Sequence, residues 1–252
     1  MTHMDSFSQA IVVIPARMAS TRLPGKPLAD IHGQPMIVRV LRRAEAAGIG
    51  PVLVAAADQA IADAVTAAGG RAVLTRPDLP SGSDRVFEAV EAIDPEGCYP
   101  IVVNLQGDLP CIEAEAVRAV LAPLADPAVQ VATLVAVAAP HERDDPNVVK
   151  AVVALAPGRA SGRALYFSRA AVPSGDGVLF HHIGIYAYRR AALARFVRLP
   201  QGILERRERL EQLRLLEHGM RIDAALVDTV PLGVDTPDDL ARVRRLLADQ
   251  PR

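Results

Sequence analysis

Ile11-Val12-Val13-Ile14-Pro15-Ala16-Arg17-Met18-Ala19-Ser20-Thr21-Arg22-Leu23-Pro24-Gly25-Lys26-Pro27-Leu28 is the stretch from which the rest of the chain is read. Its first four residues are an unbroken β-branched run, the pattern of a strand covered on both faces. The connection that follows carries Arg17, Arg22 and Lys26 and no acid. In an open parallel sheet, ligands bind beyond the carboxyl ends of the strands, which puts this connection on the active side. Three cations, loop amides and the hydroxyls of Ser20 and Thr21 suit a nucleotide triphosphate. Gly25 permits close backbone approach. The stretch is neither a Walker A loop nor a GxGxxG dinucleotide loop. Taken alone it also admits a solvated loop whose prolines redirect the chain. Lys26 and Lys150 are the only lysines among 28 basic residues, which hints at a need for a compact point charge.

Outward from this loop, strands and helices alternate. Pro35 to Ala47 reads as a helix with Met36, Val40 and Leu41 as its apolar stripe and Gly48 closing it. Val52 to Ala56 is the next strand, and Asp58 is placed to cap a helix running to Ala68. A short strand at Arg71 to Leu74, a polar loop at Ser81-Gly82-Ser83, a helix to about Ile93 and a strand at Ile101 to Leu105 complete the half. Alternation of this kind implies an α/β fold with a doubly wound, mostly parallel, Rossmann-like sheet. After Leu121 the order changes. Strands are expected at Val131 to Val137, Val148 to Leu155 and Phe180 to Tyr188, with an acidic turn at Asp144-Asp145-Pro146. This section reads as a smaller mixed or antiparallel subdomain inserted at about 140–200 into a single domain spanning 10–252. A charged helix (Leu204 to Glu217), a strand (Ile222 to Val227) and a final helix from Pro237 end the chain.

Composition narrows the function classes. The 252 residues are 50% hydrophobic, enough for a substantial core. A formal net charge of -1 argues against a diffuse basic surface for nucleic acid, so phosphate must be met by local charge. Cys98 and Cys111 have no zinc or CxxC spacing and fit a reducing, cytoplasmic setting. Residues 1–9 are polar and are expected to be a disordered tail without a signal core. The apolar stretch from Val131 to Ala139 falls far short of the roughly 20 residues a bilayer requires, so no membrane insertion is expected.

Two aspartates stand out. Asp108 follows Gln106-Gly107 just past the strand ending at Leu105, where a hard carboxylate suits Mg²⁺ and a capping role is the plainer alternative. Asp235 precedes Thr236-Pro237-Asp238-Asp239, already a complete helix start with its own cap and acidic third residue. Asp235 is therefore free to be a ligand. Along the strand from His182 to Tyr188, Ile183, Ile185 and Ala187 fall on one face, and His182, Gly184, Tyr186 and Tyr188 on the other. Residues alone leave open an ordinary half-exposed strand there. They also leave open a surface role for Arg169 and plain solvated positions for Glu211 and Gln212, which fall off the stripe formed by Leu204, Leu210, Leu213 and Leu216.

The cationic loop, together with Asn104-Leu105-Gln106-Gly107-Asp108-Leu109-Pro110, His182-Ile183-Gly184-Ile185-Tyr186, Leu210-Glu211-Gln212-Leu213-Arg214 and Gly233-Val234-Asp235-Thr236-Pro237, resembles the sugar nucleotidyltransferases. In detail it is similar to the CMP-Kdo synthetases (3-deoxy-manno-octulosonate cytidylyltransferases), from about Ile11 to Leu247. The resemblance implies transfer of CMP from CTP to the anomeric hydroxyl of Kdo for lipopolysaccharide synthesis, with Mg²⁺ as cofactor. It implies that Asp108 and Asp235 hold the metal and act in catalysis with Arg17 and Lys26. CTP would be bound by Ala16, Arg17, Ser20, Arg22, Lys26, Ser81, Arg85 and Gln106. The sugar acid would be bound by Gln106, Arg169, His182, Tyr186, Glu211 and Gln212. A homodimer is implied in the same way. Three departures accompany the match: Leu109 where many members have Glu, Ser83-Asp84 where Thr-Glu is usual, and His181 where Arg is common. The alternatives are a cytidylyltransferase for an amino-substituted Kdo or a sialic acid, or a non-catalytic nucleotide-binding module.

Overall fold

The computed structural model describes residues Ala10–Ala248, so the expected tail lies outside the described residues. The chain divides into two compact units. One runs to Val117 and resumes at Pro231; the other is Arg118–Val230. The insertion expected at about 140–200 is thus the interior of a longer segment.

The first unit is built on β1 (Ala10–Ala16), whose residues Ala10 to Ile14 are completely buried. Each such Val or Ile contributes roughly 1.5–3 kcal/mol by leaving water. A two-strand ribbon, β2 (Asp30–Ile31) with β3 (Gln34–Pro35), leads into α1 (Met36–Ala47), which buries Met36, Ile37, Val40 and Leu41. Then come β4 (Val52–Ala56), α2 (Gln59–Ala67), β5 (Ala72–Leu74), α3 (Gly82–Ile93) and β6 (Ile101–Leu105). These strands lie in the order β5-β4-β1-β6 with every pair parallel, as the alternation predicts. The carboxyl ends of β1 and β6 deliver the cationic loop and the segment holding Asp108. The short α4 (Ala114–Ala119) follows.

The second unit contains β7 (Val131–Val137), β8 (Lys150–Ala154), β9 (Ser161–Ser168) and β10 (Phe180–Arg189). After these come α5 (Arg190–Phe196), α6 (Ile203–Glu208), α7 (Gln212–Glu217) and β11 (Ile222–Leu226). The order is β10-β7-β11-β9-β8; β7 and β11 are parallel and the other pairs antiparallel. Because β8 also pairs with β10 at Phe180 and His181, the five strands return on themselves.

Three expectations change here. Strand β9 has no sequence signal, since Ser161-Gly162-Arg163 lacks an apolar run and Leu165 is exposed. The single helix over Leu204 to Glu217 is two helices, because Arg209 takes a left-handed conformation (φ 56°) that ends α6. Along β10 the expected apolar face is present, with Ile183, Ile185 and Ala187 all buried, but His182 and Tyr188 on the other face are buried as well, and the ladder with β7 shifts between Ile183 and Tyr186. His182 and Ile183, neighbours in sequence, are both buried, so β10 is covered on both faces.

In the first unit, the returning α8 (Pro237–Leu247) packs Leu240, Val243 and Leu247 against Ile31 and Met36. Its start has the expected box: Thr236 Oγ1 accepts from Asp239 N at 3.2 Å, and Asp239 Oδ2 accepts from Thr236 N at 2.9 Å.

Candidate active site

The loop after β1 borders a cavity of about 380 Å³ in the first unit. Ala16, Arg17, Ser20, Arg22 and Lys26 line it from the loop, Ser81 and Arg85 from the start of α3, and Gln106 and Asp108 from the segment after β6. Asp235 closes the set from the turn before α8. Every residue of the first unit named from sequence for CTP or metal therefore reaches one cavity. Gly25, at φ 69°, takes the left-handed conformation that starts the turn at Lys26. At Gly107 the backbone passes close to β1, where a Cβ would sit 3.0 Å from the Pro15 carbonyl oxygen.

The two aspartates converge. Lys26 Nζ donates to Asp108 Oδ2 at 2.8 Å and to Asp235 Oδ1 at 3.1 Å. Arg22 Nη2 pairs with Asp235 Oδ2 at 3.0 Å. Their segments are also joined through the backbone, Val234 N donating to Asp108 O at 2.9 Å. Burial disfavours the Lys26 ammonium, but the adjacent carboxylates outweigh it and raise its pKa above the ordinary value. Such a group is a permanent cation at neutral pH.

Other cations are held differently. Arg17 is exposed at the cavity, whereas the Arg85 side chain is buried and donates to Thr75 Oγ1 and to the Arg76 carbonyl at 2.9 Å. Burial, and then the nearby charge of Arg17, push the Arg85 guanidinium below its ordinary pKa. Ser81 caps α3, accepting from Asp84 N at 3.2 Å and donating to Asp84 Oδ2 at 2.7 Å. The positive end of this helix therefore faces the cavity, which favours an anion.

One residue had the wrong role in the sequence. Asp58 occupies the cap position of α2 but makes no side-chain cap bond. Its Oδ2 accepts from Met18 N at 2.8 Å and ties down the cationic loop from the end of β4. The usable signal was its position at a strand's carboxyl end, beside the loop, rather than its capping propensity.

Among the sugar-acid candidates in the second unit, His182, Tyr186 and Glu211 form one group. The His182 and Tyr186 rings lie 5.5 Å apart, and Glu211 pairs at 3.9 Å with Arg214. Burial, then Tyr188 and Glu211, raise the Tyr186 hydroxyl well above its ordinary pKa. Burial, and next the neighbouring His181, lower His182 to about 3, so its imidazole is neutral. Gln212 is buried, not solvated. Arg169 has other partners: Nε donates to the Glu208 carbonyl at 3.0 Å and Nη1 to that of Pro146 at 2.9 Å. Glu208 also accepts from Ser168 Oγ at 2.8 Å and from Arg169 N at 3.1 Å. Nothing in the sequence singles out Glu208, which sits in a charged run that reads as helix surface.

Comparison with known proteins decides the family. Residues 11–222 match the cytidylyltransferase family. The chain is 66% identical to the 3-deoxy-manno-octulosonate cytidylyltransferase of Paramagnetospirillum magneticum over 238 residues, 94% of this chain and 97% of that one. It is likewise 66% identical to the protein of that name from Rhodospirillum rubrum, covering 98% of this chain and 100% of the relative.

This chain belongs to the 3-deoxy-manno-octulosonate cytidylyltransferase family.

A solved CMP:2-keto-3-deoxy-manno-octonic acid synthetase complexed with CTP matches it with a TM-score of 0.89 at 43% identity, over 97% of this chain and 100% of that one. A nucleotidyl transferase from Methanothermobacter thermautotroptrophicus, 16% identical with a TM-score of 0.63 over 96% and 99% of the two chains, shares the fold. As a member of the cytidylyltransferase family, the chain is an enzyme of an α/β nucleotidyltransferase fold. No described helix is long and apolar enough to cross a membrane.

Proposed function

We infer that this chain transfers CMP from CTP to the anomeric hydroxyl of Kdo, releasing pyrophosphate and giving CMP-Kdo. The observation that carries the reading is the cavity of cations and paired carboxylates in a chain two-thirds identical to relatives named for this reaction.

The chemistry follows from charge. The attacking hydroxyl must approach an α-phosphorus shielded by the negative charge of the triphosphate. Arg17, Arg22 and Lys26 neutralise that charge, and Arg17 and Lys26 stabilise what builds on the departing pyrophosphate. The start of α3, with Ser81 and Arg85, adds amide and guanidinium donors. Ala16 and Gln106 contribute the cavity wall.

The donor set also fits Mg²⁺. Two carboxylates approach a single ammonium within 3.1 Å, so their oxygens already surround one cation-sized position. Among the described residues no third His, Cys, Asp or Glu joins them. Two carboxylates, with water and phosphate filling the remaining positions, is the usual arrangement for Mg²⁺. Asp108 and Asp235 would hold the ion, which when bound supplies Lewis-acid and templating chemistry. Lys26, now paired with both carboxylates, would be free to meet phosphate oxygens.

Gln106, Arg169, His182, Tyr186, Glu211 and Gln212 are assigned to the sugar acid on the family resemblance. The same resemblance supports a homodimer, a cytoplasmic location and delivery of CMP-Kdo to lipopolysaccharide synthesis. The test is pyrophosphate release over CTP, UTP and ATP against Kdo, an amino-substituted Kdo and sialic acid, with and without Mg²⁺. Turnover confined to CTP, Kdo and Mg²⁺ is expected. A preference for UTP or ATP, for sialic acid, or for metal-free buffer would overturn the corresponding part.

A further inference from the structure

The ladder irregularity in β10 carries a consequence for His182 and its neighbour on β7, Thr133. Thr133 is completely buried and its hydroxyl is surrounded by three polar atoms: Ile185 O at 2.8 Å, Ile183 O at 3.2 Å and His182 Nε2 at 3.0 Å. A hydroxyl has one proton to give and two lone pairs to offer. Both carbonyls can only accept; Ile183 borders the register shift and Ile185 lies within it, where the ladder with β7 is interrupted. The Thr133 proton therefore goes to a carbonyl. Toward His182 the hydroxyl can only accept, so Nε2 must carry a hydrogen.

From this geometry we propose that Thr133 is a positioning residue that locks His182 as the Nε2–H tautomer and leaves Nδ1 as a hydrogen-bond acceptor for a hydroxyl of the sugar acid. This rests on the reading that the sugar meets His182. Nδ1 has no hydrogen-bond partner among the described residues. The ring itself is fixed, with Phe167 edge-on at a centroid distance of 4.9 Å and Tyr186 at 5.5 Å. Burial in these apolar surroundings keeps the imidazole neutral, with a pKa of about 3, so it does not become a donor on mild acidification. An acceptor repels a carboxylate and attracts a hydroxyl. His182 thus reads the polyol part of the substrate, and the carboxylate must be met by another group.

The tautomer is measured first without sugar, on full-length protein labelled with ¹⁵N-histidine. Long-range ¹H–¹⁵N correlation spectra are recorded, with His182→Gln identifying the signal. The expected result is a neutral ring protonated at Nε2, unchanged from pH 8 to pH 5. A ring protonated at Nδ1, or an imidazolium, overturns the tautomer assignment whatever the substrate is. Kdo is then added with CTP and no divalent ion. A shift confined to Nδ1 supports the acceptor role. An unmoved Nδ1 in a protein that turns Kdo over refutes that role while the overall reaction stands; absent turnover refutes the substrate reading while the tautomer stands. Kinetically, Thr133→Val should raise KM for Kdo by about tenfold with KM for CTP unchanged, as for one hydrogen bond to a substrate, and Thr133→Ser should restore it. Equal changes in both KM values would overturn a sugar-specific role. If Thr133→Val does not fold, the wild-type spectra decide alone.

Discussion

The two units use ion pairs in opposite ways. In the first unit, Lys26 and Arg22 hold Asp108 and Asp235 at a cavity edge, and the Asp235 side chain is half exposed. In the second, Arg214 pairs with Glu205 through two bonds of 2.8 and 2.6 Å, and both residues are buried. A pair open to water is worth little to stability, because its members are almost as well solvated apart. A buried pair is costly to form and more costly to break. Exposure separates the Asp235 carboxylate, half open to water and able to change partners during a reaction, from the buried Arg214–Glu205 pair that joins helices α6 and α7.

The contrast can be broken by mutation. The largest effect is expected at Asp108: Asp108→Asn should lower kcat by about a thousandfold, roughly 4 kcal/mol of lost transition-state stabilisation, with the melting temperature nearly unchanged. Steady-state kinetics beside thermal denaturation read both, and a retained rate would mean that the open carboxylates are structural. Arg214→Met should behave in the reverse sense, losing roughly 3 kcal/mol of stability by stranding the Glu205 carboxylate, as read by urea unfolding. If the folded fraction of Arg214→Met also shows a CTP affinity reduced as far as a cavity variant's, the division of labour is wrong.

A smaller effect concerns pH. His182 has a folded-state pKa of about 3, below the ordinary 6.5, so between those values the unfolded chain binds the proton and the folded chain does not. Stability must fall as pH drops through that window, by up to about 1.4 kcal/mol per pH unit from this group. Urea midpoints at pH 7, 6 and 5 should therefore decline more steeply for the native chain than for His182→Gln; parallel slopes would show the ring to be protonated when folded. The smallest effect is at Asp58. Asp58→Ala should raise KM for CTP by about fivefold, the weight of about one hydrogen bond to the loop, with KM for Kdo unchanged. Since Asp58 makes no cap bond, Asp58→Asn, which keeps an acceptor oxygen, should recover most of the affinity. An equal rise in both KM values would return Asp58 to a general structural role.

Much of this arrangement was readable in the sequence, for identifiable reasons. β1 opens on a continuous apolar run and β6 on Ile101-Val102-Val103, and their carboxyl ends are where a parallel sheet presents ligands, so Arg17, Lys26 and Asp108 could be placed from order alone. The box at Thr236 left Asp235 over, and its side chain indeed turns to Lys26 and Arg22. The second unit was harder because its determinants are not periodic. Arg209 adopts a left-handed backbone that its residue type does not advertise, and β9 pairs through backbone bonds that need no apolar pattern. His182 is buried, although alternation left open a half-exposed strand there. Asp58 could have capped α2, and only the distance to Met18 shows which of two acceptable hydrogen bonds was taken.

The backbone bond from Val234 to Asp108 has a consequence for how this chain tolerates change. It closes a circuit whose intervening segment contains the whole of the second unit, so the spacing of the two carboxylates is set locally and owes nothing to the length of chain between them. The entropy of closing such a circuit grows only with the logarithm of its length, about 0.6 kcal/mol for each doubling. The second unit can therefore be lengthened, shortened or replaced wholesale while the two carboxylates keep their alignment.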